Sequence, residues 1–190
     1  MKNNHTVVPY RRRREGKTDY SKRLSILLSG KPRMIVRKTG HNIITQLALF
    51  DEHGDKILCS AHSRELIKEG WTGARKNIPA AYLTGLLLAG KARKHKITDA
   101  VLDHGLFHAV KGSRLFAALA GAIDGGLHVA HSKECLPPAS RLNGGHIASY
   151  AHSLKEAQPS RYAAQFTNTK PLTIQDQYTA IKTKLLKEGA

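Results

Sequence analysis

Apolar positions along the chain recur with two periods. Tyr20, Leu24, Leu27 and Leu28 fall at i, i+4, i+7 and i+8, which predicts a helix beginning near Thr18 and stopped by Gly30-Lys31-Pro32. Three strand-like runs follow, at 33–38, 43–50 and 56–61, separated by the turn-rich segments Thr39-Gly40-His41-Asn42 and Asp51-Glu52-His53-Gly54-Asp55. Short polar turns between strands favour an antiparallel meander. The first run alternates, with Arg33, Ile35 and Arg37 on one side and Met34, Val36 and Lys38 on the other. A strand this cationic should keep one face open for a ligand.

The helical period then returns. Ser63 is placed to cap a short helix ending at Gly70, and a loop from Trp71 to Asn77 carries Arg75, Lys76 and the only tryptophan. Asn77 and Pro79 read as N-cap and early-helix residues of an Ala/Leu-rich, largely buried helix running to about residue 94. A short buried strand is expected at 98–102, a helix at 114–124 capped by Ser113 and stopped by Gly125-Gly126, and a last strand at 127–130. The order βββαβα, with that final strand, defines an α/β fold: a small mixed sheet with flanking helices. Beyond residue 131 the chain is loop-like. It then shows two amphipathic stripes, Ile147/Tyr150/Ala151/Leu154 and Ile174/Tyr178/Ile181/Leu185, the second after the cap candidate Thr173. Each should pack on the domain or on a partner.

Charge divides the chain in the same places. Of 190 residues, 31 are Lys or Arg and 14 Asp or Glu, a net charge of +17 and a pI near 10.1. Residues 1–40 alone contribute +10 of it, whereas residues 96–134 carry four cations and four carboxylates. The expected organisation is a basic N-terminal arm with a short helix (1–30), a mixed α/β core (31–131) and a helical C-terminal extension (132–190). Such an arm repels itself and should order only on a polyanion. A solvated tail and a polybasic membrane tether are the competing readings. Four consecutive arginines, Arg11 to Arg14, argue for phosphate, which guanidinium grips with two hydrogen bonds. A tether would need a lipid or an apolar helix face beside it. No apolar run approaches 18 residues and no apolar leader follows the N-terminus, so the expectation is a soluble cytoplasmic protein with Cys59 and Cys135 as reduced thiols.

Catalytic and metal constellations are missing from the sequence. There is no GxxxxGK[ST] loop, and the glycines at 121–126 close a helix rather than open one after a strand. His104 and His108 flank Gly105 in a loop, and His128, His131 and Cys135 want a fourth zinc ligand. A two-metal nuclease built on Asp99, Asp103 and Asp124 would need acids converging from the first strand onward, where Arg33, Arg37 and Lys38 stand, and Asp99 and Asp124 are read instead as solvated or paired. No enzyme activity, cofactor, metal or small-molecule substrate is expected. What remains is binding chemistry: strand arginines with Gln46 nearby, and Ser113 and Arg114 at a helix N-terminus, where free N–H groups suit phosphate. Aromatic residues make up 6% of the chain and form no paired stacking motif. Backbone and shape recognition of structured RNA is therefore favoured over single-strand stacking.

Six collinear segments carry a family resemblance: RRRREGKTDYSKRL (11–24), SGKPRMIVRKTG (29–40), AYLTGLLLAGKAR (81–93), AVLDHGL (100–106), KGSRLFAALAGAIDGGL (111–127) and RLNGGHIASY (141–150). In these the chain resembles the archaeal branch of the universal large-subunit ribosomal protein eighteen family, over about residues 7–155. The resemblance implies a non-enzymatic protein of the large ribosomal subunit that binds 5S ribosomal RNA and attaches it to 23S ribosomal RNA in the central protuberance. Neighbouring large-subunit proteins, including the other 5S-binding protein, are implied as partners. Carried over by motif, the RNA contacts fall on Arg11, Arg12, Arg13, Arg14, Lys17, Tyr20 and Arg23 in the arm, and on Lys31, Arg33, Arg37, Lys38 and Gln46 on the strands. Thr72, Arg75, Lys76 and Asn77 in the tryptophan loop, with Lys111, Ser113 and Arg114, complete the set. His104 stands where the family commonly has Ile, and the last 35 residues match it least. The rival readings are a metal-dependent RNA-processing enzyme and a free-standing RNA chaperone.

Overall fold

The computed structural model describes residues 8–167 and 169–188. The N-terminal arm contains one helical turn, α1 (Arg11–Arg14), and the helix α2 (Tyr20–Leu27). Asp19, not Thr18, caps α2, its carboxylate accepting from the Lys22 N–H at 3.2 Å. Three antiparallel strands follow, β1 (Arg33–Lys38), β2 (Ile43–Leu49) and β3 (Lys56–His62). Next come α3 (Ile78–Lys94), β4 (Asp99–Asp103), α4 (Arg114–Asp124) and the two-residue β5 (His128–Val129). The sheet order is β3-β2-β1-β4-β5, with β4 parallel to β1 and β5 parallel to β4. This is the mixed α/β fold that the hydrophobic pattern predicts.

Period-two burial fixes which face is inside. Met34, Val36, Ile43, Leu47 and Ala61 are fully buried against α3 and α4, and Cys59 nearly so. The extra residue Leu58 in β3 shifts the register between Leu47 and Ala48, a bulge that bends the hairpin. Helices α3 and α4 lie backbone to backbone. A Cβ on Gly85 would collide with the Ala118 carbonyl, and one on Gly121 with the Tyr82 carbonyl, so both positions need hydrogen as the side chain.

Four further helices follow: α5 (Ala139–Leu142), α6 (Gly145–Ala157), α7 (Pro159–Gln165) and α8 (Ile174–Glu188). The second predicted stripe holds along α8. Ile174, Tyr178, Ile181 and Leu185 join Leu66, Trp71, Tyr82, Leu83 and Leu86 in a second apolar cluster on the far side of α3. The Tyr82 hydroxyl donates to Asp124 Oδ2 at 2.5 Å, and Lys182 lies 5.0 Å from the Tyr82 ring centroid. Burial and this contact with Asp124 push the Tyr82 phenol far above its ordinary range, and burial lifts Tyr178 to about 12.

Several local expectations are corrected. Residues 63–70 contain only a 3-10 turn, Glu65–Ile67, because the Ser63 hydroxyl accepts from the Ile43 N–H instead of capping a helix. The α2 stripe is split: Ile26 and Leu27 are half-buried, while Leu24 is 61% and Leu28 79% exposed. Tyr150 leaves its stripe in the same way, since Ala151 and Leu154 of α6 are buried and Tyr150 is not.

Candidate nucleic-acid interface

Two carboxylates organise the outer face of the sheet. Asp55, in the β2–β3 turn, pairs with Arg23 of α2 at 2.9 Å and with Arg33 of β1 at 2.6 Å, the latter at an angle too poor for a hydrogen bond. Asp103, at the end of β4, accepts from Arg33 Nη1 at 3.1 Å and from Arg37 Nη2 at 3.2 Å. Arginine and aspartate thus alternate from the arm across the sheet: Arg23, Asp55, Arg33, Asp103, Arg37. Burial opposes ionisation of Asp103, but Arg37, the Gly105 N–H and Arg33 outweigh it and hold the carboxyl below its ordinary pKa.

This network overturns the expectation of an open arginine face at its first residue. Arg33 is 1% exposed, held between Asp55 and Asp103, whose side chains are 24% and 10% exposed. Arg37 retains 38% side-chain exposure, although its Nη1 also donates to the Val36 and Asp103 carbonyls. Gln46 is half-buried on the same face, opposite Ile35.

The arm is fastened at a second point that the sequence did not mark. Lys22 Nζ donates to His104 Nε2 at 2.9 Å and to the Gly105 carbonyl at 3.2 Å. His104 Nδ1 lies 2.5 Å from the Phe107 carbonyl. These partners require the neutral ring with its proton on Nδ1. Burial and then the Lys22 charge lower the His104 pKa, which keeps the ring in that form. Lys22 and His104 lie in two separate segments of the family resemblance, 82 residues apart in sequence, and nothing in either segment marks them as partners.

Beyond these fastenings the arm cations are exposed. Arg11 to Arg14 form a turn with no buried residue. Arg11 and Lys17 pair loosely with Glu15 at 3.6 and 2.9 Å, and Arg12 Nε donates to the Thr18 hydroxyl. Tyr20 is half-buried with its ring 5.1 Å from that of Tyr10. Lys31 meets Asp99 at 3.4 Å across solvent, and Lys111 meets Glu134 at 2.8 Å, also exposed.

A separate cationic cluster forms where β1, the tryptophan loop and α4 converge. Lys38 stands 4.5 Å from the Phe107 ring centroid. Lys76 Nζ donates to the Gly40 carbonyl at 3.1 Å, and Arg114 Nη1 donates to the Lys76 carbonyl at 3.3 Å. Burial, then Arg114 and Lys76, lower the Lys38 pKa, so three like charges stand close together. Among the described residues none of the three has a carboxylate partner. Ser113 occupies the N-cap position of α4, yet its hydroxyl caps nothing and is buried without a partner. An anion here would meet three cations and a helix N-terminus. Arg75 lines the adjoining open cleft with Gly40, His41 and Thr72.

The tryptophan loop also has structural roles at and beside its expected contact residues. Asn77 Oδ1 accepts from the Ala80 N–H at 2.8 Å, the N-cap of α3. Thr72 is tied by its N–H and hydroxyl to Gln177 of α8, each at 3.1 Å. Trp71 is 2% exposed and its indole N–H donates to the Ala74 carbonyl, so it shapes the loop from inside.

A mixed sheet backed by two helices, with unneutralised cations gathered on its loops and arm, defines a basic α/β protein whose surface is suited to a polyanion. The model of the family described as ribosomal large subunit proteins 60S L5 and 50S L18 matches residues 5–99 and 91–132. The large ribosomal subunit protein uL18 of Methanococcus maripaludis is 52% identical over 160 residues, covering 84% of this chain and 82% of the relative. The chain belongs to this family of large-subunit ribosomal proteins, in its archaeal form, and is a structural protein rather than an enzyme.

Proposed function

We propose that the protein binds 5S ribosomal RNA and fastens it to 23S ribosomal RNA, with neighbouring large-subunit proteins completing the contact. The observation that carries the reading is the convergence of Lys38, Lys76 and Arg114 without a carboxylate. Three cations brought together at a helix N-terminus cost stability in the isolated protein, and a phosphate backbone removes that cost. The choice of 5S ribosomal RNA comes from the family resemblance; the cations supply the chemistry.

In this reading the α4 cluster grips the RNA backbone with Arg75 and Lys111 at its margin. Arg11 to Arg14 and Lys17 extend the contact along a second stretch, and Lys31, Arg37 and Gln46 lie at its edge. Arg33 is left out of the contact set because it has no exposed surface to offer. Arg23 and Lys22 act indirectly, by holding α2 on the sheet.

The test is competition binding with the full chain. A 5S ribosomal RNA transcript from the source organism should remain bound in excess transfer RNA. Equal displacement by transfer RNA would overturn the 5S assignment.

A further inference from the structure

The chain has four Phe, six Tyr and one Trp, and three of these rings meet outside both apolar clusters. Tyr150 of α6 and Phe166, the C-terminal cap of α7, have ring centroids 6.5 Å apart at 63°. Phe166 and Tyr162 follow at 5.3 Å and 48°. The Tyr150 hydroxyl donates to Gln165 Oε1 at 3.3 Å, so its ring is backed by Phe166 and pinned at its far end. It is nonetheless 46% exposed. Helix α7 packs chiefly against α6. A rigid aromatic surface held in water on a small helical hairpin adds little to the fold and suits a partner.

Charge indicates which partner. Residues 145–170 carry Lys155, Arg161 and Lys170 against one carboxylate, Glu156, which pairs with His152 at 3.2 Å. Arg161 is exposed in the first turn of α7, with Nη1 donating to Gln158 at 3.3 Å. Cations beside a presented ring match an unpaired nucleotide: the base stacks and the flanking phosphates meet the cations.

We propose that the α6–α7 hairpin is a second RNA contact, in which an unpaired ribosomal RNA base stacks on Tyr150 while Lys155 and Arg161 meet the adjoining phosphates. This surface lies beyond residue 132, where the family-model match ends. It rests on the 5S reading only in taking ribosomal RNA as the polyanion.

Two measurements test it. The full chain and a Tyr150→Leu/Phe166→Leu variant, which keeps apolar bulk but removes the stacking rings, are titrated with single-stranded oligouridine and with a blunt RNA duplex. The variant should lose about five- to 150-fold in affinity for oligouridine, the range expected for one stacked base, and keep its duplex affinity. Unchanged oligouridine binding, or an equal loss on both probes, would overturn the proposal. In intact large subunits, p-azidophenylalanine replacing Tyr150 should photocrosslink to an unpaired ribosomal RNA nucleotide. Adducts to protein alone would overturn it and assign the hairpin to a protein neighbour. Lys38→Ala/Lys76→Ala/Arg114→Ala should weaken 5S binding and leave the Tyr150 crosslink in place, so failure of either proposal is distinguishable from failure of the other.

Discussion

Arg33 Nη1 donates to Asp103 Oδ2 at 3.1 Å across the parallel β1–β4 pair, with the Arg33 side chain 1% and the Asp103 side chain 10% exposed. An arginine on the first strand of a basic ribosomal protein is thereby committed to the fold. Removing one partner of a buried pair leaves an uncompensated charge. Asp103→Ala should cost about 3 kcal/mol in denaturant unfolding, the lower end of the range because Asp55 still faces Arg33. Arg33→Met, which leaves Asp55 to Arg23 and Asp103 to Arg37, should cost less and leave RNA affinity unchanged. A loss of RNA affinity in a folded Arg33→Met protein would show that Arg33 reaches RNA.

The same aspartate predicts an acid limb. The folded pKa of Asp103 is depressed, so its stabilisation is present above the ordinary carboxylate pKa and is lost as pH falls through the lower folded value. Thermal melts below about pH 4 should fall less steeply for Asp103→Asn than for the wild type, from a lower starting point.

His104 gives a second, milder pH dependence in the same direction. Its pKa is lowered by burial and by Lys22, so the arm contact is complete above the ordinary value of 6.5 and is lost as pH falls through the folded value. Protonation removes the acceptor for Lys22 and sets a cation beside Lys22 and Arg37, with Asp103 the one carboxylate facing it. Backbone order parameters of α2 from NMR should therefore decline in mild acid. His104→Gln, which keeps an acceptor but does not titrate, should flatten the response.

At the α3–α4 contact, Gly85→Ala and Gly121→Ala should each destabilise by about 3 kcal/mol, because the added carbon meets backbone rather than a movable side chain. Gly90, which has open space around it, is the control, and Gly90→Ala should be neutral or stabilising.

Both cysteines are free thiols, and burial pushes the Cys59 thiol up. In native protein a thiol reagent should modify the half-exposed Cys135 first, with Cys59 reacting on unfolding. Rapid labelling of Cys59 would mean that the β2–β3 edge opens.

The strands, α3 and α4 were legible because their burial follows local periodicity: Met34/Val36 and Leu115/Leu119 are inside as their spacing requires. Tyr20, Leu24, Leu27 and Leu28 also had the right spacing, yet α2 turns Leu24 and Leu28 outward. Its orientation is set by Lys22 meeting His104 and Arg23 meeting Asp55, contacts between residues 82 and 32 positions apart. Cation positions were legible as well, but which cations are neutralised was not. The alternation separates Arg33 from Lys38, which shares a side with Met34 and Val36, yet it is Arg33 that is enclosed by two aspartates and Lys38 that joins Lys76 and Arg114. The aromatic cluster of Tyr150, Tyr162 and Phe166 spans a helical hairpin and leaves no motif.

Salt dependence bears most closely on the proposal that the Lys38/Lys76/Arg114 cluster holds 5S ribosomal RNA by its phosphates. The most direct measurement is the dependence of 5S affinity on salt, for the wild type and for Lys38→Ala/Lys76→Ala/Arg114→Ala. Each lost phosphate contact removes about 0.7 to 0.9 from the log-log slope. The slope should be shallower by roughly two to three units in the triple variant and unchanged in Arg33→Met. An unchanged slope in a folded triple variant would contradict the proposal.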